Sequence, residues 1–360
     1  KLLQHMLFLL VGLWLVAPLV ADTRPNFLFF FPDTIRAESV TPYMNASNAF
    51  TPPVTPNLDA FAKSGTLFEQ AHVMHTQCSP SRATMLTGRY MHALGHRTQT
   101  HLIRAYEENY LRVLKEEGYH VYYIGKNDVF SKAAFNLSVS EWDPFIGFDS
   151  GSNMYPEGEA GYYSFLFSGG KKPANASTNG DTKAVETAVK WLNSAPKQPF
   201  VLWLNTRGAH PPYGPPSDFS SRYSVEQVKS KISLRPRNLP GKPRHHSNAD
   251  GIPKYRNLVP LSEDTFYTIQ KKYLEMVSYT DWTFGVLLAG LDRSGLAKNT
   301  AVFMSSDHGD FAGDFGLVEK WPGGGDDVLT RVPLIARVPE RVLSPPPSSP
   351  PLAAAAAAVA

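Results

Sequence analysis

The chain has 360 residues, of which 42% are apolar and 19% are charged, and its formal net charge is +3. This length allows one large domain or two modest ones, and the apolar fraction is high enough for a sizeable core, which excludes a wholly disordered chain. The small net charge, without a basic helix or a zinc-finger spacing, argues against nucleic acid as a partner.

The chain opens on a continuous apolar run over residues 7–20. The run is shorter than the ~20 residues that a comfortable membrane span needs. Lys1 and His5 precede it, so we interpret residues 1–21 as a signal peptide cleaved near Ala21 and expect no stable membrane span. An uncleaved signal anchor is the alternative. The interpretation predicts a protein of the secretory pathway, either secreted or in a lysosome-like compartment.

Three glycosylation sequons, at Asn45, Asn136 and Asn175, agree with a secretory route. Each triplet alone is weak evidence because such triplets arise often by chance. At the other end, residues 344–360 form a low-complexity Pro/Ala tail that cannot add to a core. We interpret the abrupt end of the ordered sequence, before this tail, as a truncation, with a natural tail as the alternative.

Between the apolar run and the Pro/Ala tail, short apolar runs alternate with segments of helical, amphipathic periodicity. The apolar runs predict strands over 26–31, 120–125, 199–205, 300–310 and 332–338. Helical periods and caps predict helices over 55–65, 79–90, 108–119, 181–194 and 264–295. Thr55 and Asp181 are the expected N-caps of two of them, and residues 211–262 are Pro-rich and expected to be irregular. The alternation predicts an α/β fold with a largely parallel sheet and helices on both faces.

Polar side chains follow four of the predicted strands, namely Asp33, Lys126, His210 and the pair Asp307-His308. In parallel sheets, ligands bind beyond the carboxyl ends of the strands. Taken singly, each residue has an ordinary structural role, such as a helix cap or a solvated loop residue. Taken together with Cys78, the single cysteine of the chain, at the start of a predicted helix, they predict a functional site.

The residue types in this group indicate a metal beside cationic side chains. Two aspartates far apart in sequence suggest a hard divalent cation, Ca²⁺ before Mn²⁺ or Mg²⁺. His308 could join them, although imidazole is an unusual calcium ligand. Arg82, Lys126, His210 and Lys320 are candidates for binding an anion, and a helix N-terminus near Cys78 adds a positive dipole end. The expected substrate is an anionic ester, either a sulfate or a phosphate.

The stretch "CSPSRATMLTGRY", residues 78–90, resembles the sulfatase signature C-x-P-S-R followed by x-x-x-L-T-G. The resemblance extends from about Pro25 to Pro339 and includes "GYHVYYIGK", "AHPPY", "SSDHGDFAGDFGLVEKW" and "TRVPLI". It implies the alkaline-phosphatase-like α/β fold, with 22–343 as the N-terminal catalytic domain and the smaller C-terminal subdomain missing. The loops are more similar to the iduronate-2-sulfatase and arylsulfatase K types.

In that family the signature cysteine is oxidised to formylglycine, so the resemblance implies a formylglycine-generating enzyme as a maturation partner of Cys78. The hydrated aldehyde would attack sulfur, and the substrate would be a sulfated small molecule or glycan. The resemblance assigns the remaining roles by position. The metal would be held by Asp33, Asp307 and His308 together with the residue at position 78. The formylglycine oxygens would be held by Arg82 and Lys126. The sulfate would be contacted by His210 and Lys320, and His210 is the better candidate for protonating the leaving oxygen.

Two departures from the family pattern leave alternatives open. The usual pair of acids after the first strand is here Asp33-Thr34, so one carboxylate is lost, though Thr34 could still offer an oxygen. The usual histidine two residues after the lysine is Asp128, which could bind the formylglycine hydroxyl or cap a loop. A phosphodiesterase or phosphonate hydrolase of the same superfamily, and an inactive glycan-binding fragment, are the alternative functions. The basic loop 235–246 could touch a polyanion or be simply solvated.

Overall fold

The structure is a computed structural model, and it describes residues 24–144, 175–237, 239–255, 257–321 and 324–343. The predicted signal peptide and the predicted Pro/Ala tail lie outside these ranges. Within them we find no helical stretch with the length and hydropathy of a transmembrane segment.

The strands of the described residues form one sheet. They are β1 (Asn26–Phe30), β2 (Thr66–Leu67), β3 (His120–Gly125), β4 (Glu141–Asp143), β5 (Phe200–Asn205), β6 (Thr300–Ser305) and β7 (Leu334–Arg337). Their order is β2-β7-β6-β1-β5-β3-β4. The pairs β6-β1, β1-β5, β5-β3 and β3-β4 are parallel, and β7 runs antiparallel to both of its neighbours. The predicted α/β fold with a largely parallel sheet is confirmed.

The α-helices of the described residues lie between strands in the chain, except the last, which follows β7. They are α1 (Pro56–Lys63), α2 (Cys78–Thr87), α3 (Met91–Leu94), α4 (Tyr110–Glu116), α5 (Lys132–Ser138), α6 (Gly180–Leu192), α7 (Val225–Lys231), α8 (Ile252–Tyr255), α9 (Glu263–Arg293), α10 (Asp327–Thr330) and α11 (Glu340–Leu343). The five predicted helices are all present. Short helices inside the region that we expected to be irregular, 211–262, correct that expectation: α7 forms there because Ser224 caps its first turn, with Oγ accepting from Gln227 N–H at 3.0 Å.

Helices cover both faces of the sheet, as the sequence predicted, because side chains alternate along each strand. On β5, Leu202 and Leu204 belong to the larger core cluster with α1, α6 and α9, whereas Val201 and Trp203 belong to the smaller cluster with α2, α4 and α5. The long helix α9 anchors the larger cluster. Its Phe284 ring lies 5.1 Å from the ring of Phe30 on β1.

The two predicted helix caps differ in outcome: Thr55 is the N-cap residue of α1 but makes no side-chain cap hydrogen bond, and Asp181 is not the cap of α6. Thr55 does precede α1, but its Oγ1 accepts from Thr41 N–H at 2.7 Å, and the first N–H groups of α1 are instead bound by the carboxylate of Asp281 on α9, at 3.1 and 2.7 Å. At α6 the cap is Asn179, whose Oδ1 accepts from Asp181 N–H at 2.9 Å. The Asp181 carboxylate is therefore available to a different part of the chain.

Candidate active site

Four parallel strands bring polar side chains to one edge of the sheet. The central strands β6, β1, β5 and β3 run in the same direction, so their carboxyl ends open on the same side. Asp33 follows β1, Lys126 follows β3, His210 follows β5, and Asp307 and His308 follow β6. The residues that the sequence predicted as strand-end groups therefore lie at a common edge.

Cys78 enters this group as the first residue of α2. Its side chain is buried, with Sγ 3.3 Å from His308 Nε2 and 3.8 Å from Asp33 Oδ1. Burial and the negative charge of Asp33 raise the pKa of the thiol. A neutral thiol is a poor nucleophile, so unmodified Cys78 lacks the properties of a reactive cysteine.

The four predicted metal-binding side chains, Asp33, Cys78, Asp307 and His308, lie together: one ligand atom of each is within 4.8 Å of the others, and all four are buried. Burial alone would raise the pKa of Asp33, but nearby cations, Lys126 first among them, hold it well below its usual value. His308 Nδ1 lies 2.8 Å from Gly309 O, which places the ring proton there and leaves the Nε2 lone pair facing the carboxylates. The donor set therefore fits a divalent cation.

Thr34 forms hydrogen bonds to the carboxylates of both Asp33 and Asp307. Its hydroxyl donates to Asp33 Oδ1 at 2.6 Å, and its backbone N–H donates to Asp307 Oδ1 at 3.1 Å. Its φ of 67° lies in the left-handed region, which a β-branched residue rarely adopts. The hydrogen bonds of Thr34 thus fix the relative orientation of Asp33 and Asp307.

Arg82, one turn after Cys78 on α2, lies beneath the same carboxylates. Nε and Nη2 are each 2.9 Å from Asp307 Oδ2, and Nη2 is 3.4 Å from Asp33 Oδ2. Nη1 donates to Asn205 Oδ1 at 2.6 Å, and the guanidinium stacks over the Phe31 ring. Burial would lower the pKa of Arg82, but the carboxylates raise it further, so the group stays charged.

Lys126 and Asp128 form an ion pair beside Asp33. Lys126 Nζ is 2.9 Å from Asp128 Oδ2 and 3.5 Å from Asp33 Oδ2, and Asp128 Oδ1 is 3.7 Å from Arg82 Nε. The loop itself is capped by Asn127, whose Oδ1 accepts from Val129 and Phe130 N–H groups. Between the two roles left open for Asp128, the contacts to site cations favour a site role over a loop cap.

His210 and Lys320 form a second contact at the edge. Lys320 Nζ is 2.6 Å from His210 Nε2, and His210 Nδ1 is 2.6 Å from Pro211 O. Burial and the Lys320 ammonium hold the pKa of His210 well below its usual value. His210 is therefore neutral, with its proton on Nδ1 and its Nε2 accepting from Lys320. The proton available at this contact is carried by Lys320.

Asp181 positions the loop that carries His210. Its carboxylate accepts from the backbone N–H groups of Arg207 at 2.8 Å and Gly208 at 3.1 Å. Gly208 has a φ of +58°, and a Cβ there would lie 2.4 Å from Asp33 O. The turn therefore needs glycine at this position. Sequence reasoning gave Asp181 only a capping role and missed this contact.

Asn205 and Ser306 are further site residues that sequence reasoning missed. Asn205 is buried at the end of β5, where Oδ1 accepts from Arg82 and from Trp203 Nε1 at 3.1 Å. Ser306 Oγ accepts from Ile35 N–H at 2.9 Å and so ties the loop after β1 to the end of β6. Asn205 is the last residue of β5 and Ser306 directly follows β6, so the same strand-end signal could have found them.

The charges at this edge nearly balance. The cations Arg82, Lys126 and Lys320 lie near the carboxylates of Asp33, Asp128 and Asp307, and buried Glu319 adds a further carboxylate near Lys320. A bound divalent cation would give the group a net positive charge, which is suited to an anionic ester. The arrangement can bind an oxyanion and a metal side by side.

The sequons and the basic loop lie elsewhere. Asn45, Asn136 and Asn175 are all exposed. In the loop 235–246, most cations have internal partners: Arg235 contacts Glu38 and Asp314, and Arg237 donates to backbone carbonyls. The cations of this loop therefore mostly stabilise the packing of the protein, and the loop is not simply solvated.

An apolar groove of about 570 Å³ lies beside α2, lined among others by Phe29, Phe303 and Leu334. It contains none of the clustered cations or carboxylates. We assign no chemistry to it, and the strand-end group remains the candidate active site.

Comparison with protein families gives one match over most of the chain. A family model described as Sulfatase matches residues 25–352. The chain is 27% identical to "Uncharacterized sulfatase YidJ" of Escherichia coli (strain K12), over 88% of this chain and 63% of that protein. It is 28% identical to mouse iduronate 2-sulfatase, over 80% of this chain and 55% of that protein. The chain thus spans between about half and two thirds of the length of these relatives.

Solved structures share the fold. The phosphonate monoester hydrolase of Agrobacterium radiobacter superposes with a TM-score of 0.66, at 19% identity, over 87% of this chain and 68% of that one. At this identity the similarity establishes the architecture alone. It agrees with the predicted alkaline-phosphatase-like sheet.

Proposed function

The chain belongs to the sulfatase family, and from this membership we propose that it hydrolyses sulfate esters, with a sulfated carbohydrate as substrate. The observation that carries the proposal is the position of Cys78, which lies at the start of α2 among Asp33, Asp307 and His308. The nucleophile of a sulfatase would have to lie at this position, next to the metal and close to the cationic side chains. The named mammalian relative, iduronate 2-sulfatase, supports a carbohydrate substrate.

Two groups that the family implies would supply part of the chemistry. Formylglycine made from Cys78 by the formylglycine-generating enzyme would supply, once hydrated, a hydroxyl nucleophile. A divalent cation, for which we propose Ca²⁺, would be held by Asp33, Asp307 and His308 together with the residue at position 78, and would polarise a sulfate oxygen. The buried thiol supports modification, because burial and Asp33 raise its pKa, and a thiol that keeps its proton is a poor nucleophile.

The chain's own cations would bind and orient the ester. Lys126 keeps its proton, because acidic neighbours such as Asp33 and Asp128 raise its pKa against the effect of burial. Lys126 and Lys320 can therefore act as fixed positive charges for sulfate oxygens. Arg82 would act through the carboxylates, since its contacts hold Asp307 and Asp33 in place. Arg82 would thus position the two carboxylates in addition to holding the formylglycine oxygens, the role that the family pattern implies.

The leaving alcohol needs a proton, and the pair of His210 and Lys320 would provide it. His210 Nε2 accepts from Lys320, so the proton for the leaving oxygen would come from Lys320, directly or through His210. Asp181 would support this step by holding the Arg207–Gly208 turn, and thereby the His210 ring.

The secretory route is part of the same proposal, since formylglycine forms in the endoplasmic reticulum. We propose a secreted or lysosome-like location with glycans at one or more of the exposed residues Asn45, Asn136 and Asn175.

Two alternatives stay open to test. A phosphodiester or phosphonate would meet the same cations, and an inactive glycan-binding protein is favoured by the loss of one carboxylate at Thr34.

The test has two parts. Mass spectrometry of the tryptic peptide 64–82 should find formylglycine at position 78, and the protein should hydrolyse an aryl sulfate faster than a phosphate diester. Cys78→Ser replaces the buried thiol by a hydroxyl of similar size, yet it should lower kcat by at least about 1,000-fold. Unmodified cysteine in active protein, or undiminished activity of Cys78→Ser, would refute the mechanism. Glycan binding without turnover in fully modified protein would favour the inactive alternative.

A further inference from the structure

A second group of metal-ligating side chains lies outside the candidate active site. His245 and His246 belong to a 3₁₀ turn, Arg244–His246, and Asp326 directly precedes α10. One ligand atom from each of the three lies within 4.8 Å of the others. Nε2 of His245 is 3.7 Å from Asp326 Oδ2, and Nε2 of His246 is 3.0 Å from the same oxygen. Two imidazoles from one turn therefore converge on one carboxylate oxygen from a distant loop.

Two of these side chains are buried, and a buried polar atom without a hydrogen-bond partner lowers the stability of the folded state. The His246 side chain is 2% exposed and that of Asp326 is 8% exposed. Within the part of the chain that the structure describes, the buried Nε2 of His245 has no hydrogen-bond partner. A buried polar atom without a partner costs about 1–3 kcal/mol. A simple ion pair would account for His246 but not for the second imidazole turned toward the same oxygen.

The neighbouring side chains hold the carboxylate and one imidazole of this group in fixed positions, as is usual for metal ligands. Lys242 Nζ lies 2.9 Å from Asp326 Oδ1, which fixes the carboxylate and leaves Oδ2 for the imidazoles. The His246 ring packs edge-on against Phe315, with centroids 4.7 Å apart. Metal-binding carboxylates are commonly held by such an outer hydrogen bond. The His245 side chain is 29% exposed, so the group has an entry path from solvent.

We propose that His245, His246 and Asp326 form a Zn²⁺ site, using both Nε2 atoms and Asp326 Oδ2, with water completing the coordination. Zinc takes four nitrogen, sulfur or oxygen ligands, and tetrahedral bonds of about 2.0–2.2 Å place the ligand atoms about 3.3–3.6 Å apart. The two Nε2–Oδ2 separations of 3.0 and 3.7 Å lie on either side of that range. Ca²⁺ prefers six to eight oxygen ligands and would find one carboxylate here. The donor sets thus assign different metals to the two clusters.

The proposed zinc would connect two distant parts of the chain. It would join the basic loop 235–246, through its last two residues, to the start of α10. Since Asp326 lies in the chain shortly after Lys320, zinc there would restrain the loop region that presents Lys320. The site is independent of the hydrolysis proposed above, because none of its ligands belongs to the strand-end group.

The test measures zinc binding by the full chain in the presence of saturating Ca²⁺. Zn²⁺ is titrated against a chromogenic chelator, with the wild type, Asp326→Asn, and His245→Ala with His246→Ala. Asp327→Asn and His72→Ala are matched controls, because His72 and Asp327 form a neighbouring His–Asp contact of 4.0 Å that is exposed. Asp326→Asn keeps the side-chain shape, and that side chain makes no cap hydrogen bond to α10. Circular dichroism checks that each variant is folded.

We expect one zinc per chain, with affinity at least about tenfold weaker in Asp326→Asn and in the histidine double variant and unchanged in both controls. X-ray absorption at the zinc edge should give a nitrogen and oxygen shell with imidazole scattering. Sulfur in that shell would place the zinc at Cys78 and overturn the proposal. Equal affinity of wild type and Asp326→Asn would overturn it as well, as would the absence of zinc uptake at concentrations on the order of 10 μM.

Discussion

Arg82 and Asp307 are 225 positions apart in the chain, yet both Nε and Nη2 of the arginine lie 2.9 Å from Oδ2 of the aspartate, in a fully buried part of the site. A charge-assisted contact in such surroundings is strong. The signature arginine therefore holds a proposed metal ligand in position.

Replacing Arg82 by Met should destabilise the protein strongly. The change leaves the buried Asp307 carboxylate without its arginine and removes one of the cations beside Asp33, and breaking a buried pair costs about 3–5 kcal/mol. Urea unfolding in the presence of a chelator measures the free energy of unfolding. Arg104→Met is the control, because Arg104 is exposed. An unfolding midpoint equal to that of the wild type would mean that the contact contributes nothing net.

Calcium should stabilise the protein through the strand-end carboxylates. At a Ca²⁺ concentration 100 times the Kd, binding to the folded state adds about 2.7 kcal/mol to the free energy of unfolding. Thermal denaturation with and without Ca²⁺ measures this effect, which Asp33→Asn should remove. Asp326→Asn should retain the full calcium response, since that residue lies in the other cluster. A calcium response that survives Asp33→Asn would contradict the proposed ligand set.

Removing the Lys320 ammonium should raise the pKa of His210. Burial and Lys320 hold that pKa low, with a smaller effect from Lys126, so Lys320→Met removes the larger cationic effect and lets the imidazole take up a proton at higher pH than in the wild type. NMR titration of the histidine side chains follows the change, with exposed Lys298→Met as control. The variant should also lose kcat, because the proton for the leaving oxygen is gone. An unchanged His210 titration would show that the two side chains do not interact in solution.

Asp181 should make stability depend on pH. Burial raises its pKa from 3.8 to about 6, so the folded state holds a proton that the unfolded chain releases. The stabilisation from this proton is complete below pH 3.8 and is lost as the pH rises through about 6. Relative to Asp181→Asn, which cannot titrate, the wild type should lose about 3 kcal/mol of unfolding free energy across this window.

Denaturant unfolding at several pH values compares the wild type with Asp181→Asn. Asp218→Asn serves as control, since that exposed carboxylate also accepts a backbone N–H, from Ala176 at 3.3 Å. A difference between the wild type and Asp181→Asn that stays constant from pH 4 to pH 7 would exclude titration of Asp181 in this range.

Much of the fold follows from local sequence signals. The strand predicted over 120–125 is β3 to the residue, and the helix predicted over 264–295 is α9 within two residues at each end. The short strands β2 and β4 were missed because two or three residues carry too little periodicity for a prediction. The antiparallel direction of β7 is likewise absent from its local pattern, since a buried strand has the same apolar run in either direction.

The sequence by itself determined the class of fold, the family, and the set of side chains at the strand ends, because apolar periodicity and the motif around Cys78 are local properties of the chain. Only the tertiary structure decided which of those side chains contact each other. The cap of α1 by Asp281, the support of the His210 loop by Asp181, and the meeting of His245 and His246 with Asp326 all join distant segments. Such contacts depend on how loops cross the edge of the sheet, and burial then makes a partner for each charge obligatory.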